Sequence, residues 1–436
     1  MLFRNIDLLD ENLDFQARQW VGVKNGRIDY IGSEAPADAD AYGETYDGAG
    51  KLLLPAFYNA HAHAPMTLLR GFAENLPLQA WLETKCWPFE AKMTPEDNYW
   101  GTLLACAEMA RYGCVSFSDM YYATDERVRA VDEAGIKMNV CESELFFETK
   151  PFADYAIAAK MEDYIKKYHG ALDGRILVDY NIHAEYTSNE QTCRDIAEVT
   201  KAAGLRMHLH LSETKSEHEE CKQRHGGMTP AAYFASIGVF DSPTTAAHCV
   251  WCEDDDLEIL KQHGVWVAFN PASNMKLGSG FAPVKKMLDR GVNVALGTDG
   301  MASNNNHDMF QDLYLMALLS KGYLNDPTAV TPRQALGAAT RGGALSQGRE
   351  DCGQVKVGMK ADLAVLDVTG PSWHPMTDPL MNVVYAGHGS DVVLTMCDGK
   401  VVYRDGVWPG IDIERAKAEC TQRTQRIISE LQNTPI

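Results

Sequence analysis

No stretch of this sequence approaches the roughly 20 consecutive apolar residues that a membrane-spanning helix requires. Its start, Met1-Leu-Phe-Arg-Asn-Ile-Asp, lacks the charged and then apolar regions of a secretory signal, so a cytoplasmic location without membrane attachment is the expectation. Basic residues are in deficit, 40 Lys and Arg against 60 Asp and Glu, for a net charge of -20. That balance excludes a broad phosphate-binding surface, and with it a nucleic-acid partner; an acidic, soluble surface accounts for it. The 11 cysteines are odd in number and scattered through apolar segments. The one C-x-x-C, Cys249-Val-Trp-Cys252, has no second pair to complete a zinc knuckle, so reduced core thiols are expected. There is no low-complexity segment.

What is present is a long chain, 436 residues with 45% hydrophobic content, enough for one large domain and a smaller one. Residues 19–24 and 27–32 alternate in the manner of strands and hairpins, and the same texture returns at 361–368, 392–400 and 401–407. The two chain ends are therefore expected to pair into one small β domain. Between them, eight apolar, β-rich runs alternate with amphipathic stretches: 57–63, 115–122, 136–143, 176–183, 206–211, 244–250, 266–270 and 292–297. Eight is the number that closes a (β/α)8 barrel. The fold expected is thus α/β, a TIM barrel over 54–353, with a β-sandwich from 1–53 plus 354–410 and a C-terminal helix and tail over 411–436. Among the helices, 95–112 is the clearest. Thr94 can cap it, Pro95 suits its first position, Glu96 and Asp97 favour the positive end of its dipole, and Gly113 stops it.

Polar residues gather where a barrel places its chemistry, at the C-terminal ends of strands. Run one ends in His61-Ala-His63, and residues two apart on a strand share a face. Run four ends in His183, run five carries His208 and His210 with Glu213 beyond, run six carries His248, and run eight leads into Asp299. Any one of these is more often structural than a ligand; their common position argues for a site. Neutral imidazoles with one carboxylate suit Zn²⁺ or Fe²⁺, whereas Ca²⁺ and Mg²⁺ want oxygen. No lysine stands at a run's end to bridge two metals, which favours a single ion. A long connection at 64–93, with Trp81, Trp87 and Glu90, follows the first run where a cover over the site belongs.

The blocks 54–71, 208–213, 247–249, 270–278, 297–300 and 303–305 together resemble the amidohydrolase superfamily, in its branch of deaminases acting on S-adenosylhomocysteine and 5′-methylthioadenosine. The resemblance covers nearly the whole chain and implies the barrel and sandwich already expected. It implies His61, His63, His210 and Asp299 as ligands of one Zn²⁺ (Fe²⁺ also fits), Glu213 as the acid on the purine ring nitrogen, and His248 as the group that holds the hydroxide. Asp299 would carry the proton from water to the departing amine. Trp81, Glu90, His183 and Ser303 match substrate-binding positions, with Glu90 on the ribose hydroxyls, and a homo-oligomer is in keeping with the branch. The implied activity is hydrolytic deamination of a small molecule, an adenosine-type nucleoside (adenosine, 5′-deoxyadenosine, 5′-methylthioadenosine or S-adenosylhomocysteine). Other amino-heterocycles, guanine, a pterin or a chlorotriazine, are the alternative. One departure stands out: Glu142, with Glu144 nearby, occupies the place of an arginine that pairs with the amino-acid carboxylate of S-adenosylhomocysteine. Acid there is expected to disfavour that substrate.

Overall fold

The computed structural model describes residues 1–433; positions 434–436 of the expected tail lie outside them. The chain begins with five strands, β1 (Leu2–Leu9), β2 (Phe15–Lys24), β3 (Arg27–Gly32), β4 (Thr45–Asp47) and β5 (Lys51–Pro55). Ten parallel segments follow: β6 (Phe57–His63), β7 (Cys114–Tyr121), β8 (Lys137–Glu142), β9 (Ile176–Val178), β10 (Tyr180–Ile182), β11 (Met207–Leu211), β12 (Thr244–His248), β13 (Trp266–Phe269), β14 (Asn293–Leu296) and β15 (Asp299–Gly300). The chain returns to antiparallel pairing in β16 (Leu363–Asp367), β17 (Val392–Cys397) and β18 (Lys400–Arg404).

The parallel segments pair as β15-β6-β7-β8-β9 and β10-β11-β12-β13-β14. Asp179 alone separates β9 from β10, and Gly297-Thr298 separates β14 from β15, so ten segments make eight runs. The register Asp299↔Ala62 joins the last run to the first and closes the ring. This is consistent with the expected barrel, and each of the eight runs contains strand. Strand faces buried on both sides explain why these segments read as unbroken apolar runs.

The two chain ends do meet. Eight strands form one sheet in the order β18-β17-β16-β5-β1-β2-β3, with β4 on β1. The expected sandwich needs two packed sheets, whereas the pairing path here is a single continuous one. One face of that sheet encloses its own cluster, including Phe3, Ile6, Val21, Leu53, Leu363, Val365 and Leu394. Alternate residues such as Leu52, Leu54, Ala364 and Leu366 belong to the main core, as the two-residue period of a strand requires.

Helix ends follow their capping chemistry. Thr94 Oγ1 accepts from Asp97 N at 3.3 Å and Asp97 Oδ2 accepts from Thr94 N at 2.6 Å, a reciprocal cap that starts the helix Pro95–Arg111. Asn189 caps Glu190–Ala203, which Gly204 ends at φ 65°. The C-terminal helix Ile413–Gln432 packs inward: Arg423 and Arg426 both reach the buried Asp97, at 2.9 and 2.6 Å. No helix among the described residues is long and apolar enough to cross a membrane. All 11 cysteines are unpaired and buried.

Candidate active site

Three imidazoles converge at the C-terminal mouth of the ring, and the other nitrogen of each has a fixed partner. His63 Nδ1 donates to Met120 O at 2.6 Å and His210 Nδ1 to His183 O at 2.7 Å. His61 Nδ1 lies 2.9 Å from His208 Nε2, with the two rings stacked. Each ring therefore offers Nε2 to the same space, the arrangement in which a partner on one nitrogen orients the other as a ligand.

The separations fit a common centre. His63 Nε2 is 3.3 Å from His210 Nε2 and 3.2 Å from Asp299 Oδ1, and His61 Nε2 is 3.3 Å from the same oxygen. Ligands about 2.0–2.1 Å from one tetrahedral ion lie about 3.3–3.4 Å apart. His61 Nε2 is buried without a hydrogen-bond partner, which a bare imidazole nitrogen tolerates poorly and a cation would satisfy. Burial pushes His61 down to about 4 and His210 well below its usual range, favouring neutral, metal-competent rings. His63 goes the other way, to about 9: burial opposes the shift, but Asp299 outweighs it. Asp299 is held well below the usual carboxylate range by His61 and His63 in spite of its burial. The residues present thus fit a divalent cation in the proton's place.

The backbone is strained where these groups emerge. Ser212, His248 and Asp299 have φ of 48°, 73° and 61°, uncommon for residues with a side chain and clustered here where three strands turn their polar ends into one space. Gly300 permits the approach, since a Cβ there would stand 2.7 Å from Met66 Sδ and 3.2 Å from His63 Cβ.

Around this centre stand the proton-handling groups. His248 Nδ1 donates to Asn274 Oδ1 at 2.8 Å, leaving Nε2 3.8 Å from Glu213 Oε2 and 4.0 Å from Asp299 Oδ2. Burial raises the Glu213 carboxyl above its usual range; His248 offsets part of that and Asp299 adds to it. Glu217 fixes the turn that carries Glu213, accepting from Ser212 N at 2.9 Å and Glu213 N at 2.7 Å.

A cavity of about 60 Å³ opens onto the centre, lined by His63, His210, Glu213, His248 and Asp299 below and by Leu78, Trp81, Leu82, Trp87 and Glu90 above. His183 also lines it, its Nδ1 2.9 Å from Thr187 Oγ1. Trp81 is buried and donates from Nε1 to Ala73 O at 3.1 Å. Glu90 accepts from the Tyr121 hydroxyl at 2.7 Å, a partner 31 residues away that sequence spacing does not reveal.

Two residues singled out in the sequence have partners within the fold itself. Ser303 is not among the residues that line the cavity; its hydroxyl donates to Asp299 Oδ2 at 2.9 Å and to Gly300 O at 3.1 Å, so it braces that carboxylate. Glu142 is likewise absent from the lining. Its oxygens accept from Thr124 N at 2.9 Å and Thr124 Oγ1 at 2.7 Å, with Arg127 Nη2 3.5 Å away. A carboxylate engaged with a helix start beside a guanidinium repels an anion more weakly than a free one does.

Histidines and a carboxylate at the mouth of parallel strands, with buried acids beside them, define a metal-dependent hydrolase. The chain belongs to the amidohydrolase family, whose model matches residues 52–402. It is 41% identical over 432 residues, 98% of this chain and 99% of the relative, to the 5-methylthioadenosine/S-adenosylhomocysteine deaminase of Acetivibrio thermocellus. It is 40% identical over 413 residues, 94% of each chain, to the 5′-deoxyadenosine deaminase of Methanosarcina mazei. An adenosine deaminase from Xanthomonas campestris, solved with bound zinc, superposes with a TM-score of 0.90 at 30% identity over 98% of both chains.

Proposed function

We propose that this protein deaminates an adenosine-type nucleoside by hydrolysis, giving the inosine-type product and ammonia. The observation that carries the reading is the set of edges near 3.3 Å among His61, His63, His210 and Asp299, with Glu213 and His248 beside them. The likeness to deaminases named for 5′-methylthioadenosine, S-adenosylhomocysteine and 5′-deoxyadenosine supports the substrate class.

His61, His63, His210 and Asp299 would hold one Zn²⁺ per subunit, a choice supported by the imidazole-rich donor set and by the zinc in the adenosine deaminase relative. Such an ion supplies Lewis-acid chemistry, lowering the pKa of water from 15.7 to about 7. Glu213, whose carboxyl burial raises above its usual range, donates a proton to the purine ring nitrogen as water adds to the amino-bearing carbon. His248 Nε2, beside Glu213 and Asp299, holds the attacking oxygen and steadies the oxyanion-like adduct. Asp299 Oδ2, braced by Ser273 and Ser303, receives the proton of the attacking water and returns it to the amine, which leaves as ammonia. As the C–N bond breaks, the added hydroxyl returns its proton to Glu213 and becomes the carbonyl, so one water is consumed, one C–N bond is exchanged for C–O and both carboxyl groups are restored. Trp81, Glu90 and His183 are the nucleoside contacts, with Glu90 and its Tyr121 partner on the ribose side.

The organisation proposed to support this site is a (β/α)8 barrel over 54–353, a small β-sandwich domain from 1–53 plus 354–410, and a C-terminal helix and tail over 411–436. The test is ammonia release from a panel of adenosine, 5′-deoxyadenosine, 5′-methylthioadenosine and S-adenosylhomocysteine. Turnover of guanine or a chlorotriazine with none of any adenosine would overturn the reading.

A further inference from the structure

Every proton-handling group in the site is held by one short stretch of chain. β13 ends at Phe269 without supplying a ligand, and the chain turns through Asn270 into the helix Pro271–Lys276 and a loop with Gly278 and Gly280 at φ 66° and 127°. From this stretch Ser273 Oγ donates to Asp299 Oδ2 at 2.6 Å, Asn274 Oδ1 accepts from His248 Nδ1 at 2.8 Å, and Ser279 Oγ donates to Glu213 Oε1 at 3.3 Å. The three contacts are in register with one another, because Ser279 N donates to Asn274 O at 2.9 Å and Trp251 Nε1 donates to Ser279 O at 2.8 Å. A side chain from the same helix reaches upward. Lys276 Nζ lies 2.9 Å from Glu74 Oε2, within the covering stretch 64–93, and donates to Ala302 O at 2.9 Å, just beyond Asp299. Glu74 in turn accepts from Asn305 Nδ2 at 3.0 Å.

We propose that residues 270–279 are a positioning segment that aligns Glu213, His248 and Asp299 together, and that the Lys276–Glu74 pair makes full alignment depend on the cover being shut. The inference rests on the functional reading above. None of Ser273, Asn274, Ser279 or Lys276 lines the cavity, so each acts through another residue. Linking alignment to closure has a chemical purpose: an acid and a base brought into line only once the substrate is enclosed spend their protons on the bound ring, not on bulk water. Misplacing a reacting group by about 1 Å can cost about 10²-fold in rate, so loosening one tether is readable.

The experiment compares Ser279→Ala, Ser279→Thr, Lys276→Met, Glu74→Gln and the Lys276→Met/Glu74→Gln pair. Ser279→Ala is expected to lower kcat about 10- to 100-fold with KM, metal content and melting temperature little changed, and Ser279→Thr to restore most of it. Lys276→Met and Glu74→Gln should each lower kcat, and the double variant should be no worse than Lys276→Met alone, since that variant already breaks the pair. Wild-type kcat in Ser279→Ala, or a fully multiplicative double variant, would overturn the proposal. A crystal structure of Ser279→Ala decides the matter independently of substrate, because a Glu213 carboxylate left in place contradicts the tether. If the wild type releases no ammonia from any adenosine-type nucleoside, the functional reading fails while that structural comparison still tests the segment.

Discussion

At the scale of single residues, protonation is set by burial as much as by partners. Glu213 has a serine hydroxyl at 3.3 Å and His248 Nε2 at 3.8 Å, yet desolvation raises its carboxyl above the usual range. Glu213→Gln keeps the shape and removes the transferable proton. It should lower kcat about 10²–10⁴-fold while metal content, measured by elemental analysis, stays at the wild-type level. An unchanged kcat would assign the acid elsewhere. The histidine pair 61/63 was legible in the sequence because a two-residue period on a strand leaves little freedom. The bond from Ser303 to Asp299 was not legible, since its direction depends on the positive φ of Asp299 and on the turn that follows, and neither is written in residue type. Glu142 shows the same limit: its identity was plain, and its engagement with Thr124 became visible only once β8 and the next helix were in place.

At the scale of elements, a helix end matched expectation where cap and stop were both spelled out, as at Thr94 with Gly113. The interruptions at Asp179 and at Gly297-Thr298 were hidden, because each is set by a neighbour: Gly297 lies where a Cβ would stand 2.3 Å from Asn270 Oδ1. The helix Met309–Leu324 buries Asp312, which accepts from Ala272 N at 3.0 Å and from Asn304 Nδ2 at 2.9 Å. Burial outweighs those bonds and pushes its carboxyl from 3.8 to about 8. The folded state therefore keeps a proton that the unfolded chain has lost, and this group's contribution to stability falls as pH rises from about 4 to about 8. Asp312→Asn should remove that slope. Urea midpoints across about pH 5 to 9 would show the variant gaining on the wild type as pH rises, and parallel curves would refute the assignment.

At the scale of the molecule, the ring and the end sheet are joined through charge at the face opposite the site. Lys137, at the start of β8, is buried against Asp362 and lies 2.8 Å from Asp398, and Tyr58 also bonds Asp362. Its ammonium is held well above its usual range by Asp362 against the opposing effect of burial. Lys137→Met would strand two carboxylates and cost about 3–5 kcal/mol in urea unfolding, while kcat of the folded enzyme stays near wild type. A loss of activity without a loss of stability would mean the junction communicates with the mouth.

The closed mouth also imposes a clock. A drug-sized ligand occupies a cleft of about 300–1,000 Å³, and the space here is about 60 Å³, so a nucleoside is expected to need residues 64–93 to move for full entry. A tight analogue of the tetrahedral adduct should then bind in two phases, its observed onset rate levelling off with inhibitor concentration instead of rising in proportion. The plateau is the opening frequency of the cover, and it gives the upper bound on how often this enzyme can trade product for substrate.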